Sequence, residues 1–394
     1  MLTAEGCAAR RERLWGSLPA PCDVLIVGDP SHLTYFAAYA PSPFVFRTVE
    51  SGALLLLEPG RATLVADDML GPFLERAHAD ERVAPVWYDG KHSAPYRRGQ
   101  LVESTLGRLS SMPGRRIGVE LAAVPAGVVE GLRIRRPGLE IVDIGPLVRP
   151  LRRAKHADEI DLLRRSMRAG EAGLAAALAK VRPGMTELDV YLIVQNAAMT
   201  ELGEQVIVYG DFASGPRLAR EKGGSPTSRK IEPGDLLLMD FSVIVSGYRG
   251  DFTNTFAVGG GPTPGQRELF DACVGALHAG EAALKPGMAA RDVDAAVRGH
   301  FASLGLDPYF PTHSGHGLGL GHPEPPYFVP ESSDTLQAGD VVALEPGLYV
   351  EGTGGMRFER NYLITADGFE TLSDRKSTRL NSSHRIRSRI PSSA

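Results

Sequence analysis

The pattern of apolar and polar positions divides the chain at about residue 150. Before that point, short apolar runs alternate with segments of helical composition. The apolar runs are DVLIVG, ALLLLEP, ATLVAD and RIGVEL. Strands that alternate with helices are typical of a small α/β domain with a core of its own. We therefore expect a first domain over residues 1–150.

After this first domain the pattern changes from short strands to long helices. Apolar side chains recur at helical spacing over residues 160–178, which predicts an amphipathic helix. Thr186, with Asp189 three positions later, is typical of an N-cap. Pro264 suits the first turn of another helix, which should end near Leu284. A second domain that is rich in helices therefore follows the first.

This second domain, expected over residues 151–374, contains an internal repeat. The sequences KVRPGMTELDV and ALKPGMAARDV align on their Pro-Gly-Met triplets. Farther along each half, the apolar runs PGDLLLMD and AGDVVALE end in a carboxylate, and a second carboxylate follows. The four residues are Asp240, Asp251, Glu345 and Glu359. Two similar halves related by an approximate two-fold axis would bring the two carboxylate pairs face to face.

The first pair of carboxylates is expected on a β-hairpin whose turn lies at 246–247. In that register Asp240 lies opposite Thr253, and Asp251 lies opposite Ser242. The two aspartates are then diagonal neighbours on one face, roughly 7–8 Å apart at the backbone. Asp240 follows four apolar residues, and an unpaired carboxylate would be costly to bury there. A shared cation is therefore the expected partner.

One imidazole completes the candidate metal site. His316 lies within the sequence GHGLG, whose glycines allow a backbone to pack closely around a metal ion or substrate. Four carboxylates would balance two divalent ions, and such ions about 3.5–4 Å apart hold a bridging water as hydroxide. Mixed oxygen and imidazole ligands suit manganese, cobalt, zinc or iron. Arg357 is either a residue that orients one of the carboxylates or an ordinary surface arginine.

These motifs together resemble those of the pita-bread metallopeptidases, which include prolidase, Xaa-Pro aminopeptidase and methionine aminopeptidase, with creatinase as a relative. The stretch DVLIVGDPSHLTYFAAY resembles the creatinase-like N-terminal domain, and the resemblance covers about residues 1–373. It implies an α/β (α+β) fold, in which a small creatinase-like domain precedes a pita-bread domain with an internal pseudo-two-fold repeat. It also implies a homodimer.

The resemblance implies two divalent metal ions, with manganese as the first expectation. It assigns Asp240 to one metal, His316 and Glu345 to the other, and Asp251 and Glu359 to both as bridging ligands. The implied activity is that of an Xaa-Pro aminopeptidase or Xaa-Pro dipeptidase. Such an enzyme releases the N-terminal residue of Xaa-Pro peptides by attack of a hydroxide that bridges the two metals.

Further residues receive roles in this reaction. Glu345 is expected to move the proton, since it is a carboxylate ligand that can hydrogen-bond the attacking water. His322 is expected to stabilise the oxyanion. His313 and Arg357 are candidate substrate contacts. The free α-amine of the substrate would meet one metal and Asp240.

Several positions depart from the prolidase pattern. Prolidase-like proteins usually carry a histidine where this chain has Gly223, and a second one where it has Pro323, with His322 one residue earlier. Ser242 and Asn254 replace the usual glycine and arginine. These departures favour an alternative function, a small-molecule C–N hydrolase or lyase on the same metal-binding fold. A third hypothesis, a binding module without catalysis, predicts lost metal ligands, and none is lost.

Composition sets wider limits. The three cysteines, Cys7, Cys22 and Cys273, are widely spaced and fit a reducing cytoplasm. There is neither an 18-residue apolar run nor an apolar signal core. We therefore expect a cytoplasmic enzyme without membrane partners, acting on a peptide or small amide.

The last residues, 375–394, need a separate interpretation. They read RKSTRLNSSHRIRSRIPSSA, without an acidic residue, and resemble translated sequencing-adaptor read-through. The alternative is a basic tail for nucleic acid or membrane. Without its six Lys and Arg residues, the formal net charge of the chain changes from −4 to −10. Such an acidic body argues against nucleic-acid binding.

Overall fold

The computed structural model describes residues 1–44, 52–112 and 114–373. The chain forms two compact units, Met1–Leu162 and Leu163–Ala394. The basic tail predicted at 375–394 lies outside the described residues. Among the helices that are described, none has the length and apolar character needed to cross a membrane.

The first unit has the α/β organisation that the sequence predicts. Its elements are α1 (Ala4–Gly16), β1 (Val24–Val27), α2 (Pro30–Ala37), β2 (Ala53–Glu58), β3 (Arg61–Ala66), α3 (Gly71–Arg76), β4 (Glu81–Val83), α4 (Arg97–Ser111), β5 (Arg116–Val119), α5 (Ala126–Arg135), β6 (Glu140–Asp143) and α6 (Gly145–Leu151). The strands form one sheet in the order β4-β3-β2-β1-β5-β6. All four apolar runs lie in its central strands.

Helices α4 and α5 cover one face of this sheet. Leu101 and Leu109 of α4, with Val128 and Leu132 of α5, pack against the apolar side chains of the strands. The strands are almost continuously apolar because they are buried on both faces, as is usual in mixed α/β sheets. This packing gives the first unit a hydrophobic core of its own.

The second unit begins within α7. The elements are α7 (Ala157–Lys180), α8 (Glu187–Leu202), β7 (Ile207–Ser214), α9 (Pro216–Glu221), β8 (Leu236–Val245), β9 (Tyr248–Ala257), α10 (Pro264–Ala283), α11 (Ala290–Ser303), β10 (Gly315–Gly317), β11 (Glu324–Phe328), β12 (Val341–Leu344), β13 (Gly347–Val350), β14 (Gly354–Arg357), β15 (Arg360–Ile364) and β16 (Phe369–Thr371). The strands form sheets in the orders β7-β8-β9, β11-β10-β12-β15-β16 and β13-β14. Thr186 caps α8 in a capping box with Asp189, as predicted.

The internal repeat is visible in the backbone hydrogen bonds. In the first half, Gly184 N donates to Ile231 O over 2.8 Å, and in the second half Gly287 N donates to Leu336 O over 2.8 Å. The return bonds, from the amides of Ile231 and Leu336 to the methionine after each glycine, are both 2.9 Å long. Both halves place two helices before their strands. The predicted pseudo-two-fold repeat is therefore confirmed.

The hairpin of β8 and β9 has the predicted register. Asp240 pairs with Thr253, and Ser242 pairs with Asp251. The turn residues 246 and 247 have φ values of +49° and +87°, as a two-residue turn with the right twist requires. Because side chains alternate along a strand, the face that carries Asp240 also carries apolar residues of the core farther back along β8.

The opposite face of the hairpin is held by an aromatic stack. Phe241 lies between Phe212 and Phe252, with ring centroids 5.7 and 5.5 Å away. Phe252 packs so closely on α7 that a Cβ on Gly170 would lie 2.1 Å from its ring. The hydroxyl oxygen of Ser166, in the same helix, accepts a hydrogen bond from the Gly250 amide. The hairpin is thus clamped on the side away from its carboxylates.

Candidate metal centre

Three carboxylates from the two halves converge on the β8–β9 hairpin. One oxygen from each of Asp240, Asp251 and Glu359 lies within 4.8 Å of the others. Glu359, which directly precedes β15, is fixed to the hairpin by two hydrogen bonds to Thr253. Its amide donates to the Thr253 carbonyl over 3.0 Å, and the Thr253 hydroxyl donates to Glu359 Oε2 over 2.9 Å.

A second cluster shares Asp251 with the first. One ligand atom from each of Asp251, His316 and His322 lies within 4.8 Å of the others. His316 Nε2 is 3.7 Å from Asp251 Oδ2 and 3.2 Å from Glu345 Oε1. Glu345 directly follows β12, and its amide donates to the carbonyl of Ser314. The structure therefore brings together all five residues that the sequence nominated as metal ligands.

The burial and crowding of these carboxylates fit the binding of cations. Burial raises the pKa of Asp240 to about 7, with the charges of Asp251 and Glu345 adding to the effect and Arg357 opposing it. Burial, and then the charges of its carboxylate neighbours, raise the pKa of Glu359 well above its ordinary value. Glu359 Oε1 is buried and has no hydrogen-bond partner among the described residues. A divalent cation would neutralise the charge of these carboxylates and coordinate the Glu359 Oε1 oxygen.

The imidazoles respond to the same carboxylates. Burial alone would lower the pKa of His316, but its contact with Glu345 and the charge of Asp251 raise it to about 9. The contact with His322, together with the charge of His316, holds the pKa of Asp251 below its ordinary value despite burial. The donor set of carboxylate oxygens and imidazole nitrogens is one that first-row divalent metals accept. The residues present fit a metal centre.

Arg357, at the end of β14, is buried against the carboxylates, so the surface alternative does not hold. Its Nη2 donates to Asp240 Oδ2. The same nitrogen lies 3.8 Å from Asp211 Oδ2, and Nε lies 4.0 Å from Glu345 Oε2. Arg357 belongs to the second half of the repeat, whereas Asp240 and Asp211 belong to the first. This arginine therefore links the two halves at the centre.

His322 and His313 lie beside the five residues and are partly exposed. His322 Nε2 is 2.5 Å from Asp251 Oδ2, and 25% of its side chain is accessible. The register of β10 and β11 shifts between His316 and Gly317. His322 therefore lies beside Asp251, although the sequence pattern of prolidase-like proteins would put a histidine at residue 323. His313 Nδ1 is 3.4 Å from Glu345 Oε1, and 43% of its side chain is accessible. Both histidines are placed where a substrate can reach them.

A cavity of about 490 Å³ adjoins the centre. It is lined by Asp240, Asp251 and His322, and also by residues of α8, β7 and the loop after α9. One of these is Asp211, which is not among the site residues predicted from the sequence. A usable signal existed, because Asp211 precedes His316 by 105 residues, the offset that also relates Asp240 to Glu345. Asp211 thus occupies in the first half the position of a site residue in the second.

Comparisons with known proteins agree with this geometry. The profile of metallopeptidase family M24 matches residues 161–366, and that of the creatinase/prolidase N-terminal domain matches residues 19–154. The uncharacterized peptidase YqhT of Bacillus subtilis is 31% identical over 280 residues, which are 70% of this chain and 77% of that protein.

Two solved structures share the fold. The Xaa-Pro dipeptidase from Bacillus anthracis superposes with a TM-score of 0.79 at 24% identity, over 95% of this chain and 99% of that one. The X-Pro aminopeptidase from Thermotoga maritima superposes with a TM-score of 0.78 at 21% identity, over 93% and 97%. The two profile matches and the relative in Bacillus subtilis show that this chain belongs to metallopeptidase family M24 and carries a creatinase/prolidase N-terminal domain, as its motifs predicted.

Proposed function

We propose that this metallopeptidase releases the N-terminal residue from Xaa-Pro peptides with the help of two divalent metal ions. The observation that carries the proposal is the position of Asp251, which belongs to both clusters of ligand atoms. A carboxylate shared in this way is suited to bridge two ions. Structures named as an Xaa-Pro dipeptidase and an X-Pro aminopeptidase share the fold, which supports the choice of substrate class.

The proposed ligands are the five residues of the centre, with Asp251 and Glu359 shared between the ions. Bound there, divalent ions would supply a nucleophilic water at neutral pH and polarise the scissile carbonyl. We propose manganese as the natural metal, with cobalt, zinc and iron as the alternatives that the same donors accept.

Glu345 is the proposed proton carrier. Its Oε1 lies 3.2 Å from His316 Nε2 and 3.4 Å from His313 Nδ1. Although burial opposes ionisation, the contact with His316 holds the pKa of Glu345 below its ordinary value. The carboxylate is therefore ionised at neutral pH. It can accept a proton from the attacking water and pass it to the leaving proline nitrogen.

The remaining residues position the substrate and its developing charge. In the proposal, the free α-amine lies at Asp240, which Arg357 holds through its Nη2 donor. Because Arg357 is buried among carboxylates, we propose that it acts on the substrate through Asp240. His322, held beside the cavity by its contact with Asp251, stabilises the oxyanion, and His313 contacts the substrate.

One observation favours a second candidate, a small-molecule C–N hydrolase or lyase. Gly223 offers no side chain where prolidase-like proteins usually have a histidine, and His322 stands one position before the other expected histidine. The metal ligands are retained, so such an enzyme would keep the metal chemistry and bind a different substrate.

The test uses the purified full chain loaded with Mn²⁺. Xaa-Pro dipeptides, Xaa-Pro-Xaa tripeptides and matched Xaa-Ala peptides are incubated with it, and release of the first residue is followed by mass spectrometry. We expect cleavage of the proline set only, abolished by a chelator and restored by added Mn²⁺. If no peptide is cleaved while about two metal ions remain bound per chain, the peptidase proposal fails and the small-molecule candidate takes its place.

A further inference from the structure

We infer that Asp211 makes this enzyme select substrates whose N-terminal residue has a cationic side chain. The inference rests on the proposed function for the position of the substrate. It concerns a specificity residue that lines the cavity beside the metal centre and is separate from the five proposed ligands.

Asp211 is placed to meet the first residue of a bound substrate. It is the register partner of Asp240 in the antiparallel pair of β7 and β8, so the two side chains project from the same face of the sheet. Both line the 490 Å³ cavity. About 39% of the Asp211 side chain is accessible. If the substrate α-amine lies at Asp240, the side chain of the same residue is within reach of Asp211, because the two aspartates are neighbours on one face.

The absence of a side chain at residue 223 allows Asp211 to occupy this position. Gly223 has a φ of +152°, and a Cβ built on it would lie 2.0 Å from Asp211 Oδ2. The backbone is held close, since Phe212 N donates to the Gly224 carbonyl over 2.9 Å. A histidine at 223 is incompatible with Asp211 as it stands. This chain therefore presents a carboxylate beside the position at which prolidase-like proteins usually carry a histidine.

The charge of Asp211 remains available to a ligand. Arg357 is its cationic partner among the described residues, with Nη2 3.8 Å from Asp211 Oδ2. That distance is too long for a hydrogen bond, and the same nitrogen donates to Asp240. A substrate ammonium or guanidinium can therefore donate directly to Asp211, whereas a carboxylate placed there would be repelled.

The other walls of the cavity suit the aliphatic part of such a side chain. Tyr191, Tyr209 and Pro226 line the same cavity as Asp211. Lysine and arginine bury their methylene stems against apolar and aromatic surfaces while the charged group reaches a polar partner. The combination of these walls with one carboxylate points to arginine or lysine at the first position of the substrate.

The test compares two peptides that differ in charge but hardly in shape, Arg-Pro-Ala and citrulline-Pro-Ala. We expect the wild-type enzyme to prefer the arginine peptide by about tenfold or more in kcat/KM, the discrimination that a hydrogen bond to a charged group provides. In Asp211→Asn this preference should fall to about twofold or less. Asp211→Ser serves as the second variant. Glu268→Gln, which removes an equal charge from an exposed position on α10, should keep the full preference.

A binding experiment separates this inference from the proposed function. Calorimetry with the Mn²⁺-loaded wild-type protein compares argininamide with citrullinamide and needs no turnover. The two probes share the α-amine and differ only in the guanidinium, which a neutral urea replaces in citrullinamide. Tighter binding of argininamide, with the difference lost in Asp211→Asn, supports the inference even if every peptide is inert. Equal binding of both probes, or no binding of argininamide, overturns it. An arginine preference that survives in both Asp211 variants overturns it as well.

Discussion

The two halves of the second unit have the same backbone framework but place different chemistry on it. Gly210 in the first half has a φ of +153°, and a Cβ on it would lie 2.1 Å from the Asp240 carbonyl. Gly315 in the second half has a φ of +151°, and its Cβ would lie 2.0 Å from the Ala343 carbonyl. The residue after each glycine differs: Asp211 follows the first and His316 the second. Both halves thus keep a glycine where two strands approach closely, but the side chain that follows this glycine differs between the halves.

The carboxylates differ in a related way. In the first half, Asp240 and Asp251 lie within two ten-residue strands of one continuous hairpin. In the second half, β12 ends at Leu344, and the small β13–β14 hairpin intervenes before β15. Glu345 and Glu359 thus follow strand ends, and a glutamate reaches one methylene farther than an aspartate. The repeat preserves the path of the backbone, whereas the side chains that it carries at the centre differ between the halves.

The strongest test of this comparison is to remove, from each half, the carboxylate that is proposed to bridge the two ions. We expect Asp251→Asn and Glu359→Gln each to lower bound Mn²⁺ and to reduce peptide turnover by more than about hundredfold, the upper range for residues that only support a metal ligand. Metal content is measured by plasma mass spectrometry on the same samples that are assayed. Glu268→Gln is the control. Retention of full metal content by either variant would show that the halves do not contribute equally.

The contact that crosses between the halves should matter less. Arg357→Met removes the donor to Asp240 and the charge that opposes the rise in the pKa of Asp240. We expect kcat/KM to fall by roughly 10- to 100-fold, as for other groups that orient a metal ligand. Arg357→Lys should recover part of the loss because it restores the charge without the planar fork. Equal activity of the two variants would mean that charge at this position is unimportant.

The sequence predicted the local features of this site better than the tertiary ones. The register of Asp240 and Asp251 followed from the turn at 246–247, because a two-residue turn fixes the pairing of both strands. His322 was nominated from the sequence, but its contact with Asp251 depends on the register shift after His316, which no local pattern encodes. The repeat offset marks Asp211 as the counterpart of His316, but the closeness of Asp211 to Gly223 exists only once the loop is folded. The roles of the five residues as ligands, the metal identity and the homodimer remain predictions.

The repeated glycines offer a test of the shared framework itself. Gly210→Ala and Gly315→Ala should each destabilise the protein by about 1–3 kcal/mol, the usual cost of an unfavourable backbone conformation. The clash of the new Cβ with a carbonyl oxygen should add to this cost. The free energy of unfolding is measured by urea denaturation. Gly299→Ala on α11, where a Cβ meets nothing within 4 Å, should instead stabilise by about 0.5–1 kcal/mol. If alanine is tolerated at only one of the two glycines, the two positions are not structurally equivalent.

The smallest expected effect concerns the helix that follows each Pro-Gly-Met turn. Thr186 caps α8 through a capping box with Asp189, whereas Ala289 stands at the same place before α11 and makes no side-chain bond. Asp292, the counterpart of Asp189, is nevertheless present three residues later. The second half of the repeat therefore keeps the acidic residue of a capping box but lacks the hydroxyl.

Exchanging these two caps should move stability in opposite directions. We expect Thr186→Ala to cost about 1 kcal/mol and Ala289→Thr to gain a similar amount, the usual worth of an N-cap side chain. Ala289 has the extended backbone conformation that an N-cap needs, with φ −68° and ψ 135°, so the new hydroxyl can accept the amide of Asp292. If Ala289→Thr instead lowers the urea midpoint, the second turn has diverged from the first in its surroundings, although its backbone hydrogen bonds have the same lengths.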